Sequence, residues 1–414
     1  MRILTTALAM ALMAGTTLGA AAPALAQKKA EKPKPAAPPK LSKPIMAVVI
    51  AVQKLQTAGD HAGALAALAG AASVPRVDAD DALIMAKLKL FSAQNVKDNV
   101  KLEEALTEAV EAPSITPEEK LNFSKFIAGL ASNRKDYAKA WQFYEFYLAQ
   151  QPNDVDMVVQ AASVNAALKQ NAKVFELLTR AIDIREAKGE KGDRSWYEFR
   201  AQIAIDNKMD DKLMPSLLGW VKAFPEPKSY NLAIELVKQR QGNLDNNTLI
   251  DFGRLMWTAG AMTAANNYLE YADAALDRGM PNEAEMVLKE GIAKQLLDGS
   301  KQNIKEFVAL AATKNAESKA GITALEKDAK SSPRLTLVVA DTFANLKQFD
   351  KAITWYKTLL GNANVDQDTV NLRLAFALKN SGDVAGARAA LANVKAGPRA
   401  VIAKFFETLL VTPA

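Results

Sequence analysis

A helical repeat of about 35 residues is the feature that most constrains the fold of this chain. At Ala140, a small residue is followed by a large residue four positions later and by another core residue three positions after that, so all three share one helical face. The pattern recurs at five small residues, which are Ala64, Ala140, Ala284, Ala352 and Ala387. Their separations of 76, 144, 68 and 35 residues correspond to two, four, two and one units of 34 to 38 residues. Such a period predicts a stack of helical hairpins.

Residues 121–152 give the clearest unit. A first helix carries Phe123 and Ile127 on its apolar face, a short turn follows at residues 134–137, and Pro152 stops the second helix. This unit resembles a tetratricopeptide repeat, in which a small residue lies where the two helices cross. The resemblance implies an all-α fold, an α-α superhelix built as a tetratricopeptide-like solenoid of hairpins, whose first helices line a concave groove.

Composition and repeat pattern divide the chain into four parts. They are residues 1–26, a cleaved signal peptide; residues 27–44, a disordered linker rich in Lys, Pro and Ala; residues 45–397, about ten tetratricopeptide-like hairpins; and residues 398–414, a helix that caps the last hairpin. The unit near residues 299–330 departs most from the repeat, because Lys305 and Glu306 stand where the family has small apolar residues. It is still expected to form a hairpin.

The N-terminus has the pattern of an exported protein. Arg2 precedes an apolar run over residues 3–18, and an Ala-Leu-Ala sequence ending at Ala26 forms a small-residue cleavage site. An uncleaved membrane anchor is the alternative, although the run is short for a span. The chain has no Cys, as suits an oxidising compartment. We therefore expect a bacterial member of the family that is exported to the periplasm, cleaved after Ala26, and without a transmembrane segment in its mature chain.

The net charge of +6 comes from the N-terminal end of the chain. Residues 1–44 hold seven Lys or Arg and one Glu, which accounts for the whole excess and leaves residues 45–414 neutral. A nucleic-acid-binding protein would carry its positive charge on the fold, so no nucleic-acid partner is predicted. The basic linker is either a solvated spacer or a tether that contacts anionic lipid or cell-wall polymer.

Residue types that carry catalysis are scarce. The chain has no Cys and a single His, His61, and it lacks a phosphate-binding loop, a nucleophile elbow and a zinc-protease motif. The neighbouring acids Glu103 and Glu104 are expected on an exposed helix face. The sequence thus predicts that the protein is not an enzyme, with no catalytic residue, no cofactor and no metal.

The resemblance places the binding surface on the first helix of each hairpin. The groove positions of this sequence are polar and comprise Glu198, Gln202, Asp206, Lys238, Asp273, Asp277, Asp341, Asn345, Lys379 and Asn380. Plain solubility of an exposed helix face would give the same pattern. A rival site is the aromatic segment 141–147, where Tyr144 and Tyr147 are expected in the core, and Phe143 and Phe146 are candidates for a surface anchor.

Together these features predict a non-catalytic scaffold or adaptor of the bacterial cell envelope that holds protein partners in its groove. The alternative is a cell-wall or polysaccharide-associated export or assembly factor that uses the basic tail. An enzyme is the third hypothesis and has the least support in the sequence.

Overall fold

A computed structural model describes residues 39–411 of the chain. Over this range the chain forms twenty helices and no strand, and most successive helices pack against each other, so the fold is an all-α solenoid. The predicted signal peptide, residues 1–26, lies outside the described residues, as does the predicted linker up to residue 38. The helices are α1 (Lys43–Thr57), α2 (His61–Gly70), α3 (Asp81–Asn95), α4 (Asn99–Glu111), α5 (Pro117–Asn133), α6 (Tyr137–Gln150), α7 (Val155–Ala167), α8 (Asn171–Glu186), α9 (Arg194–Asp206), α10 (Asp210–Ala223), α11 (Pro227–Gln241), α12 (Asn246–Thr258), α13 (Ala265–Asp277), α14 (Pro281–Ala293), α15 (Gln302–Ala329), α16 (Pro333–Asn345), α17 (Phe349–Thr358), α18 (Gln367–Asn380), α19 (Val384–Leu391) and α20 (Gly397–Val411).

The described helices belong to two compact units, unit 1 (residues 39–210) and unit 2 (residues 211–411). Unit 1 holds α1 to α9, of which the first eight form four hairpins, and α10 begins at the boundary. Unit 2 holds α11 to α20. None of the helices between residues 39 and 411 combines the length and the apolar character that a membrane span requires.

The first three hairpin turns of unit 1 share one local structure. Each second helix begins after an aspartate whose carboxylate accepts a hydrogen bond from a backbone N–H in the first helical turn, a cap that typically contributes about 1 kcal/mol. The N···O distances are 2.7, 3.0 and 3.2 Å at Asp60, Asp98 and Asp136. The residue before each aspartate has a positive φ, with values of 79°, 58° and 66° at Gly59, Lys97 and Lys135.

The small residues that define the repeat are core residues. Ala140 lies on the face of α6 that also buries Tyr144 and Tyr147, and α6 packs against α5. The prediction that the repeat marks buried positions is confirmed, because the side chains of all five are fully buried: Ala64, Ala140, Ala284, Ala352 and Ala387.

Replacing Ala140 by leucine should destabilise unit 1 by about 1–3 kcal/mol, because three extra carbon atoms must enter a packed helix contact. Ala62 is exposed at the start of α2. Ala62→Leu should therefore change the free energy of unfolding by less than about 0.5 kcal/mol. Urea denaturation of the two variants measures both costs, and equal costs would contradict the hairpin register.

Glu103 departs from the sequence-based expectation. It was expected on an exposed helix face, but its side chain is buried, whereas Glu104 is exposed. Arg134 Nε and Lys139 Nζ each lie 2.7 Å from its carboxylate. Burial raises the pKa of Glu103, but the hydrogen bonds from Arg134 and Lys139 outweigh this effect and hold the pKa below its usual value. The expectation was wrong because the next hairpin covers this face of α4 and supplies the cations.

Unit 1 should lose stability at alkaline pH through two tyrosines. Burial raises the pKa of Tyr147 and Tyr197 to about 12, and the carboxylates of Asp154 and Glu186, which accept their phenolic hydrogens, add to the shift. Tyrosine in the unfolded chain has a pKa near 10. The unfolded chain therefore releases these protons first. The free energy of unfolding should be constant with respect to these groups below about pH 10 and should fall between about pH 10 and 12.

Urea denaturation at increasing pH, with tyrosinate absorbance of the folded protein recorded in parallel, measures this effect. If all tyrosines of the folded protein ionised together near pH 10, the two side chains would not be protected and the prediction would be wrong.

Unit 2 contains hairpins α13–α14, α16–α17 and α18–α19, and a looser contact between α11 and α12. The hairpin expected near residues 299–330 is not formed, because α15 is one helix of 28 residues. Its interior has Gly321 but no Pro, so nothing in the sequence breaks the backbone hydrogen bonding. The last helix, α20, covers most of the segment expected to cap the array and packs against α12, α18 and α19.

Two helices of unit 2, α12 and α18, are buried on nearly all sides. Gly253 allows the closest approach in α12, because a Cβ there would lie 2.5 Å from the ring of Tyr271 on α13. Between α12 and α18 lies a buried ion network, in which Asp251 accepts hydrogen bonds from Arg373 at 3.0 Å and from Arg399 at 2.8 Å. These contacts join residues more than 120 positions apart, so unit 2 closes on itself around α12.

Candidate partner-binding site

The first helices of unit 1 form one face. Gln56 of α1 donates hydrogen bonds to the Leu88 carbonyl at 2.9 Å and to Ser92 at 2.8 Å, both on α3. Lys87 of α3 then contacts Glu119 of α5 at 2.6 Å. These contacts place α1, α3 and α5 side by side, with axes about 8–10 Å apart as packed helices require.

Large apolar side chains are exposed on this face, which we call the apolar face: Met46, Ile50, Phe91 and Phe126 are 42, 61, 50 and 57% exposed. Ile50 and Phe126 each stand fourteen residues before the small residue of their own hairpin, Ala64 and Ala140. They therefore occupy the same register position. The apolar face was not predicted, because the family resemblance directed attention to polar groove residues, although this fourteen-residue offset could have revealed it.

The three predicted groove residues at the end of unit 1 lie together on α9. Glu198, Gln202 and Asp206 are four residues apart and share one helical face. Glu198 is half-buried with Arg194 at 3.9 Å, and the side-chain amide of Gln202 donates to Asp206 at 2.7 Å. Asp206 is exposed. This end of unit 1 is therefore polar and contains acids, whereas the apolar face lies on α1, α3 and α5.

Unit 2 has a groove along α13, which we call the α13 groove. It consists of three depressions that share lining residues: Leu269 is common to the first two, and Glu235 and Glu270 are common to the last two. Their volumes are about 610, 380 and 420 Å³. The depressions are lined by α11, the α11–α12 loop, α13, and the segment between α14 and α15.

Three of the predicted residues lie at the α13 groove or next to it. Lys238 is buried, and its ammonium group contacts the carboxylates of Glu235 at 3.2 Å and of Glu270. Asp273 and Asp277 are exposed on α13, one and two turns beyond Glu270 on the same face. Lys238 was expected as an exposed groove residue, but two flanking carboxylates and the packing of α11 enclose it. Asp273 and Asp277 are both exposed, and Asp277 accepts a hydrogen bond from Asn246 at 2.6 Å.

Asp341 is not part of an open groove. It was expected to line the concave face, but its side chain is buried among Arg373 at 2.5 Å, Tyr356 at 2.6 Å and Arg254 at 3.7 Å. The reason is that α12 occupies the inner side of α16 and α18, where a solenoid of this kind would have its concave face. The contacts that close unit 2 therefore bury Asp341 and make it inaccessible to a partner.

The remaining predicted residues lie near the ends of α16 and α18. Asn345 is half-buried, and its carbonyl accepts a hydrogen bond from Asn282 at 2.5 Å. Lys379 is half-buried, and burial lowers its pKa. Asn380 is exposed and donates to the carbonyl of Phe376 at 2.8 Å. The structure does not bring these three together with the α13 groove, and whether they bind a partner stays a prediction.

The rival aromatic site is smaller than the sequence suggested. Tyr144 and Tyr147 are buried as expected. Phe143 was a candidate for a surface anchor, but it packs against the cluster that contains Leu106 and Ile127. Phe146 is exposed, and the ammonium group of Lys120 lies 5.7 Å from its ring centre. Only Phe146 therefore remains as a candidate anchor in this segment.

The described part of the chain shows no cluster of three or more acids or histidines that could hold a metal. The ring of His61 lies edge-on to Phe91, with centroids 5.4 Å apart, and its Nδ1 atom is buried without a hydrogen-bond partner. His61 therefore packs beside the apolar face.

The sequence matches no protein-family model and no curated protein. Solved structures with a similar arrangement include a tetratricopeptide repeat protein from Parabacteroides merdae, with 13% identity over 66% of this chain and 100% of that chain and a TM-score of 0.28. The Naa15/Naa10 structure bound to HypK-THB has 14% identity over 86% of this chain and 58% of that chain, with a TM-score of 0.28. Yeast Tom70 has 12% identity over 85% and 84% of the two chains, with a TM-score of 0.22.

Proposed function

We propose that this protein is a non-catalytic scaffold that binds partner proteins on the first helices of unit 1. One observation carries the proposal: the apolar face keeps large side chains exposed on three first helices, with Ile50 on α1 and Phe126 on α5 at the same register position and Phe91 on the intervening helix α3. Contiguous exposed apolar surface on a soluble body is a common sign of a protein-binding surface. The polar end of unit 1, with Glu198 and Asp206 on α9, would set the direction of the bound segment through its charge.

The spacing of the apolar face suits an amphipathic helix. Packed helices lie about 8–10 Å apart. A bound helix that crosses them rises about 1.5 Å per residue, so it reaches the next first helix after about five to seven residues. The upper end of that range is close to two helical turns and returns to the same side of the bound helix. One apolar stripe on a partner could therefore contact Ile50 on α1, Phe91 on α3 and Phe126 on α5 in turn.

Paired serine substitutions test this function. Ile50→Ser with Phe126→Ser should abolish capture of the partner from an envelope extract, because both anchors are lost. Val100→Ser with Phe146→Ser is the matched control, since these two apolar residues are also exposed but lie on the second helices α4 and α6. Both variants should fold like the parent. If the control loses the partner and the first pair keeps it, the binding surface is on the second helices.

We also propose that the protein acts in the bacterial cell envelope after cleavage behind Ala26. The supporting observations are the apolar N-terminal run, the small-residue cleavage site and the absence of Cys. Mass spectrometry of the protein from its own cells should find Gln27 at the N-terminus, and an intact Met1 would contradict the proposal. Removal of residues 27–38 should leave partner capture unchanged. Loss of capture would favour the basic tail as the functional part, as the cell-wall alternative requires.

A further inference from the structure

The first depression of the α13 groove has an apolar floor. It lies between α13, the end of α14 and the start of α15, and encloses about 610 Å³. Leu269, Ile292 and Leu296 are half-buried there, and Ile304 is buried beneath them. Leu269 also lines the second depression, so the apolar floor leads directly into the part of the groove that carries charge. A large aliphatic side chain of a partner would remove this half-buried surface from water.

Negative charge predominates where the second and third depressions meet. Glu235 and Glu270 share the single ammonium group of Lys238, which leaves one carboxylate charge in excess at this point. Asp273 and Asp277 continue the acidic row along α13, and Arg278 lies 3.7 Å from Asp277. Four carboxylates therefore face two cations along this side of the groove.

The two units differ in chemistry at equivalent places in the repeat. Glu270 stands fourteen residues before Ala284, the same offset that places Ile50 and Phe126 on the apolar face of unit 1. The α13 groove therefore offers carboxylates where the apolar face offers aliphatic and aromatic side chains. The two surfaces therefore favour partners of different charge.

We propose that the α13 groove binds a polypeptide segment in which a lysine or arginine lies beside a large aliphatic residue. The aliphatic side chain occupies the floor formed by Leu269 and Leu296. The cation approaches the half-exposed carboxylates of Glu235 and Glu270 from the solvent side, beside the ammonium group of Lys238, and balances the charge that Lys238 leaves over. Asp273 and Asp277 speed the approach of such a segment by long-range attraction and contribute less to its lifetime on the groove.

A random peptide library displayed on phage and selected against the purified protein tests the site, because the selection requires no candidate partner. The selected peptides should be enriched in Lys or Arg next to Leu, Ile or Met. Fluorescence anisotropy of the strongest peptide should show affinity lower by about tenfold or more for Glu235→Gln and for Leu296→Ser. Glu317→Gln should have no effect, because Glu317 is exposed on α15 outside the groove. Asp273→Lys with Asp277→Lys should slow association, and raising the salt concentration should remove that difference.

Three results would overturn the proposal. The first is a library that yields no enriched peptide, or peptides that bind the two groove variants as well as the parent. The second is loss of peptide binding in the Ile50→Ser and Phe126→Ser variant, which would move the peptide site to the apolar face. The third is equal binding by a peptide of residues 27–38, which has lysines but no large aliphatic residue, because the groove would then recognise charge alone.

Discussion

Replacing Asp251 by alanine should lower the free energy of unfolding of unit 2 by about 3–5 kcal/mol, because it leaves buried cations without their partner. Asp251 is fully buried, and its carboxylate accepts hydrogen bonds from Arg373 and Arg399. Arg254 lies 3.6 Å away and is also bound by Glu283 at 2.8 Å. Burial lowers the pKa of Arg254 and Arg373, but the surrounding carboxylates outweigh it and raise both. After the substitution the arginines stay charged, because arginine is not deprotonated in proteins.

Asp273→Ala is the control for this variant, because it removes an exposed carboxylate from the same unit. It should change the free energy of unfolding by less than about 0.5 kcal/mol. Hydrogen exchange measured by mass spectrometry localises the effect, which should appear as lost protection in α12 and α18. Equal stability of the two variants would mean that the buried ion network does not hold unit 2 closed.

Replacing Phe406 by alanine should cost unit 2 about 3–5 kcal/mol through the cavity that it leaves in the core. Phe406 is fully buried on α20, and its ring stacks on Phe376 of α18 with centroids 4.2 Å apart. Lys404→Ala on the same helix is the control, because Lys404 is exposed. Urea denaturation measures both. A cost for Phe406→Ala no larger than that for Lys404→Ala would show that α20 does not seal the unit.

The repeat could be predicted from the sequence because it rests on local contacts. Ala140 must be small because α5 packs closely against it. Since α5 immediately precedes α6 in the chain, this contact is local in sequence. The turn aspartates follow the same logic, since Asp136 caps the helix that begins with the next residue. The uninterrupted helix α15 was not predicted. The repeat pattern of the other units led us to expect a turn near residues 299–330, although the sequence of α15 contains no proline that would break a helix.

The burial of Asp341 could not be predicted in this way. It depends on contacts between α12, α16 and α18, such as the one between Asp251 and Arg373, which are separated by 122 residues. Helical periodicity shows which side of a helix is polar, but it does not show whether another helix supplies the counter-charges. Glu103 illustrates the same limit at shorter range, because its partners Arg134 and Lys139 lie on the next hairpin.

The candidate site was predictable in part. Asp273 and Asp277 are exposed on α13 beside the α13 groove, because a first helix keeps its polar side in solvent when nothing covers it. The apolar face on α1, α3 and α5 was not predicted, since an apolar residue at helical spacing usually indicates core. In the sequence, only their common offset of fourteen residues from the buried Ala64 and Ala140 distinguishes Ile50 and Phe126 from core residues.

Site-specific photo-crosslinking in living cells tests the central claim most directly, which is that the first helices of unit 1 bind a partner protein. A photoreactive amino acid is placed in turn at Ile50 and Phe126 on the apolar face, and at Val100 and Phe146 on the second helices. We expect the first two positions to crosslink to the same partner and the other two to give no crosslink. Crosslinks at Val100 and Phe146, with none at Ile50 and Phe126, would contradict this claim.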